Sequence, residues 1–113
     1  MSRHVHDEKE FADVLTEANA QNRLVFVKFT GAWCAPCKAV APTYDALAKR
    51  LSSHADFLSV DINELEDVAT SFQVRSIPAF HVIENLKEID KWLGGDKNTL
   101  KKKVAQHLRE AQE

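Results

Sequence analysis

At 113 residues, with 44% hydrophobic and 28% charged residues, the chain has the size and balance of one soluble domain, 1–113, able to bury a core without disulfide staples. A formal charge of −2 gives no reason to expect nucleic acid or an anionic membrane as partner, and no stretch approaches the length of a membrane span. The N-terminus lacks the apolar run of a secretory signal, so the cytoplasm is the expected compartment, where a cysteine pair is more often catalytic or metal-binding than structural.

Arg3 to His6 reads as a short edge strand, after which Asp7 caps a helix and Glu10 completes a capping-box pattern. Phe11, Val14, Leu15 and Ala18 then recur at one helical face, and the helix should end within 19–22. The apolar run Leu24 to Phe29, rich in β-branched and aromatic residues, predicts a central strand covered on both faces. A helix from about Cys34 to Leu51 follows, with Val40, Tyr44, Leu47 and Leu51 as its buried stripe. Pro42 in its interior removes a backbone bond and predicts a kink.

Phe57 to Ile62 reads as a second buried strand, and a short helix passes through Val68 and Phe72. Strand, helix, strand at this spacing calls for parallel pairing by a right-handed crossover. Pro78 to Ile83 and Glu88 to Leu93 form an antiparallel hairpin about a turn near Asn85. Asp96 caps a last helix with Leu100, Val104 and Leu108 inward and Lys101, Lys102 and Lys103 toward water. The histidines are scattered, and His81 on a strand reads as a packed or half-exposed side chain rather than a catalytic base. Asp61 reads as a residue of a solvated turn.

The chemistry is concentrated in Trp33-Cys34-Ala35-Pro36-Cys37-Lys38, which holds the only two cysteines where a strand turns into a helix. With Cys34 as cap and Cys37 in the first turn, both sulfurs fall on one side and can close a small disulfide loop. Unpaired N–H groups and the positive end of the helix dipole favour a thiolate at Cys34, the nucleophile of a redox dithiol. Cys37, deeper in the helix, is the resolving thiol. Pro36 starts the helix at a position where its missing N–H removes no bond, and Lys38 adds positive charge. Two other readings remain open. Half of a zinc site would need further ligands, and His54 and His81 lack the usual short spacing. A structural disulfide across adjacent turns would constrain very little chain.

The cysteine motif, Pro42, Val60-Asp61, Ile77-Pro78, and Gly94 before an amphipathic helix stand in the order and spacing of one family. The chain resembles the thioredoxins, most of all the short cytosolic ones of eukaryotes, over essentially its whole length. That resemblance implies an α/β thioredoxin fold, a central mixed sheet flanked by four helices, in which Ile77-Pro78 is a cis bond facing the dithiol. It also implies a substrate edge: Ile77 pairs through its backbone with an extended segment, and Trp33, Ala35, Pro36, Pro78 and Gly94 border the same shallow groove.

The expected function is protein disulfide reduction by a Cys34-Cys37 redox-active disulfide, in a monomer with no bound cofactor and no metal. The expected partners are a thioredoxin reductase, an NADPH-using flavoprotein that restores the dithiol, and disulfide-containing substrate proteins. The alternatives are a redox-sensing binding module with little turnover and a more oxidising disulfide donor or isomerase. Ala35 replaces the glycine usual between the cysteines, and Leu86 stands where the hairpin commonly has glycine. Lys28 departs further, because it aligns with a buried carboxylate thought to help deprotonate Cys37, and Ser59 stands where that acid's lysine partner often lies. Lys28 is therefore a candidate modulator of proton transfer, either as a buried amine pushed toward its neutral form or as a charge favouring thiolates. Alternatively its stem threads past the core and delivers the amine to solvent.

Overall fold

The computed structural model describes residues 2–112. Among them lie β1 (Arg3–His4), α1 (Glu8–Ala20), β2 (Leu24–Thr30), α2 (Ala35–Arg50), β3 (Ala55–Asp61), α3 (Glu66–Ser71), β4 (Ala79–Glu84), β5 (Lys87–Leu93) and α4 (Lys97–Gln112). The strands form one mixed sheet in the order β1-β3-β2-β4-β5, parallel on the β1/β3/β2 side and antiparallel from β2 through β4 to β5. β2 is central, and Leu24 through Phe29 are buried, as its uninterrupted apolar run requires.

Alternation along the strands divides the core into two layers. Val25, Val27 and Phe29 of β2 join Leu58 and Val60 of β3 under Phe11 and Val14 of α1 and Val68 of α3. Leu24 and Phe26 face the other way, joining Phe57, Phe80 and Val82 under Val40, Tyr44 and Leu47 of α2 and Leu100 and Val104 of α4. Tyr44 is fully buried, and its hydroxyl lies 3.0 Å from the Phe26 carbonyl and 2.7 Å from that of Leu58, donating across the β2/β3 junction. This fastens the middle of α2 to the sheet.

Asp7 caps α1 through the Glu10 N–H at 2.7 Å, but the return arm of the expected capping box reaches one residue further back: Glu10 accepts from the His6 N–H at 2.9 Å. β1 is bounded at His4, shorter than the expected strand to His6, because the chain leaves the sheet to reach that cap. α2 runs through Pro42 without a break. The β4/β5 turn is Asn85-Leu86, both at positive φ (54° and 65°), flanked by the pair Glu84 and Lys87. Two left-handed residues give the primed turn whose twist suits a two-residue hairpin, here with leucine in place of glycine. Lys103 departs from its expected place in water: its ammonium is 2.9 Å from Asp90 and lies over the Trp92 ring, so only Lys101 and Lys102 are exposed there. His107 is buried and also meets Asp90, at 2.8 Å.

Candidate active site

The carboxyl end of β2 leads through Gly31 into α2, and the cysteines sit at that junction. Cys34 is the N-cap of α2, with Sγ accepting from the Cys37 N–H at 3.2 Å. A cap position has non-helical backbone and faces unpaired N–H groups, so Cys34 is half-buried while Cys37, in the first turn, is only 2% exposed. The two form a disulfide with Cα atoms 5.2 Å apart, within the ordinary span for such a bridge. Among the described residues no group of three or more His, Cys, Asp or Glu is arranged to hold a metal.

Ile77-Pro78 is a cis peptide bond, and the Ile77 carbonyl oxygen lies 3.7 Å from Cys34 Sγ. Gly94 N–H donates to the Pro78 carbonyl at 2.9 Å, so the start of the β5/α4 connection is tied to the cis-proline bend. Trp33 is 95% exposed, Ala35 and Pro36 are exposed, Ile77 and Gly94 are half-buried, and Pro78 itself is buried. The cysteines, the bend and the glycine thus meet on one surface, with Trp33 an uncovered apolar side chain at its border. Sequence reasoning singled out Gly94, at φ +101° with open space where a Cβ would go. It passed over Gly95, whose Cβ would fall 2.9 Å from the Pro36 carbonyl oxygen. The doubled glycine was the available signal.

Lys28 is a buried residue. The residue is 5% exposed, its amine lies 5.1 Å from the centroid of the Tyr44 ring, and among the described residues it makes no hydrogen bond or ion pair. Burial pushes its pKa below the ordinary lysine range, against the opposing pull of Asp45. Lys28 registers with Ser59 on β3 and Phe80 on β4, and Phe80 with Trp92 on β5. Ser59 Oγ and Trp92 Nε1 in this row are buried without a hydrogen-bond partner among the described residues. Cys37 shares with Val40 and Tyr44 the buried stripe of α2, the helix that covers this row. On the opposite face of the sheet, His81 is buried, its Nδ1 engaged by the Glu88 carboxylate and its ring edge-on to Phe29 and Phe72.

Comparison with known proteins agrees with this geometry. The family model described as "Thioredoxin" matches residues 2–106. Thioredoxin H4 of Arabidopsis thaliana is 39% identical over 93 residues, covering 82% of this chain and 78% of that protein. The TPR repeat-containing thioredoxin TDX of Oryza sativa subsp. japonica is 45% identical over 103 residues, covering 91% of this chain and 32% of that protein. The chain therefore spans about a third of the length of that longer relative, and 27% of its Arabidopsis thaliana counterpart. A crystal structure of a poplar wild-type thioredoxin h superposes with a TM-score of 0.89 at 30% identity, covering 95% of this chain and 96% of that one. The X-ray structure of Fasciola hepatica thioredoxin gives 0.86 at 30% identity, over 93% and 98%.

Proposed function

The chain belongs to the thioredoxin family of thiol-disulfide oxidoreductases, and from that premise we propose that it is a protein disulfide reductase. The Cys34 thiolate attacks one sulfur of a substrate disulfide; that bond breaks, and the other substrate sulfur leaves as a thiolate that takes up a proton. The Cys37 thiolate then attacks Cys34 Sγ in the mixed disulfide, releasing the second substrate thiolate and closing the Cys34-Cys37 bridge. Two electrons pass to the substrate, and an NADPH-dependent thioredoxin reductase returns two to the protein.

The observation that carries this reading is the inequality of the two sulfurs. One stands at a helix cap within reach of partners, and the other is buried behind it, which separates attack from resolution. Ile77 receives an extended substrate segment through its backbone, with Trp33, Ala35, Pro36, Pro78 and Gly94 shaping the groove. Lys28 acts as a charge on the face that α2 covers: an ammonium there lowers the cost of a Cys37 thiolate during resolution. The 1–113 domain works as a monomer in the cytoplasm, where such a dithiol is held reduced. Among the described residues no helix is long and apolar enough to cross a membrane.

Trapping tests the division of labour. Cys37→Ser incubated with a disulfide-bonded protein should accumulate a covalent complex through Cys34 that dithiothreitol dissolves, whereas Cys34→Ser should form none. Accumulation through Cys37 in the Cys34→Ser variant would overturn the assignment.

A further inference from the structure

Beside the cis-proline bend the surface holds a cavity of about 360 Å³ that the reaction just described does not use. Arg75 and Ser76, which line it, immediately precede Ile77; Ala79, also in its wall, follows Pro78; and Leu93, opposite Ala79 in the β4/β5 ladder, precedes Gly94. The cavity is therefore continuous with the edge at which a substrate segment is received. Phe72 and Leu93 give it an apolar lining, and Leu93 is 64% exposed. Arg75 and Lys91, both exposed, supply its cations, and among the described residues neither side chain pairs with a carboxylate. The neighbouring acid, Glu88, is engaged by His81.

An apolar lining with two unneutralised cations suits a side chain with a methylene stem and a terminal carboxylate. We propose that this cavity is a substrate subsite that selects an acidic residue, glutamate above all, close to the cysteine under attack. An extended segment advances about 3.3 Å per residue, so a residue one to three positions from that cysteine, lying along Ile77, comes to the mouth of the cavity. The subsite rests on the reductase reading. Its contribution is specificity: a disulfide flanked by acidic residues is held in register with Cys34, and one flanked by lysine is repelled.

The test uses short peptides, each with one cysteine bound as a mixed disulfide to 5-thio-2-nitrobenzoate, identical except for Glu, Ala or Lys at one, two or three positions from the cysteine. Release of the coloured thiolate by the reduced protein gives the second-order rate constant. At low salt the Glu peptide should react about threefold to tenfold faster than the Lys peptide at one or more positions, the scale of two partly exposed charge contacts, and high salt should compress the ratio. The double variant Arg75→Glu/Lys91→Glu should invert the ratio, a comparison internal to each preparation. Equal rates for Glu and Lys at every position, or a preference that survives the double reversal, would overturn the subsite. The Ala peptide separates the two claims: if it is reduced without any charge preference only the subsite fails, and if it is not reduced the reductase reading fails with it.

Discussion

Replacing Lys28 by methionine should stabilise the protein at neutral pH. Lys28 is 5% exposed, with the Tyr44 ring 5.1 Å from its amine and Asp45 as the charge that favours the ionised form. A cation over an aromatic face contributes about 0.5–2 kcal/mol, while holding an ionised amine out of water costs several kcal/mol. Burial therefore outweighs attraction, consistent with the lowered pKa. Methionine keeps the length of the stem and removes the charge, so Lys28→Met should gain about 1 kcal/mol at pH 7, the low end of what replacing buried ionic groups by apolar ones yields. In urea this is a midpoint shift of roughly 0.3–1 M for a slope of about 1–3 kcal/mol per molar.

The pH dependence fixes the cause. Between the depressed folded pKa and the unfolded value of 10.5 the unfolded chain binds more protons, so the wild type gains stability as pH rises through that window. The advantage of Lys28→Met should therefore be full below the depressed pKa and shrink as pH is raised through it toward 10.5. Urea titrations of both oxidised proteins across this range measure it. A variant less stable than wild type at pH 7, or an advantage that stays constant with pH, would refute the reasoning.

Two further substitutions probe the supports of the site. Tyr44→Phe removes the hydroxyl that fastens α2 to β2 and β3, and should cost about 1–1.5 kcal/mol in thermal or urea unfolding. Gly95→Ala would place a Cβ 2.9 Å from the Pro36 carbonyl oxygen, a backbone atom of the dithiol segment, and overpacking of this kind costs about 1–3 kcal/mol. Disulfide reduction should slow markedly in that variant. Gly31→Ala should be milder, because its Cβ would meet only the Ile77 δ-methyl, at 2.8 Å, which can rotate away.

Much of this architecture was legible because local and global signals agree. The apolar run of β2, the stripe of α1 and the Asp96 cap of α4 each demand what they adopt, the last with Asp96 accepting from Asn98 N–H at 2.9 Å. The cysteine motif was legible for the same reason: a strand exit, a cap and a first-turn proline coincide. What the sequence left open depends on distant partners. The burial of Lys28 depends on α2, which sets the Tyr44 ring 5.1 Å from its amine and which strand periodicity does not report. Lys103 looked like a third lysine of a wet helix face, yet Asp90 and the Trp92 ring on β5 draw it in. The cavity beside Pro78 is assembled from the loop after α3 and two strands, so no window of sequence contains it.

Protein disulfide reduction through the Cys34-Cys37 pair is tested most directly by insulin disulfide reduction driven by NADPH and a thioredoxin reductase. The wild type should show sustained turnover and Cys34→Ser none, with NADPH consumed in step with the insulin thiols formed. Wild-type turnover no greater than that of Cys34→Ser would contradict the reductase reading.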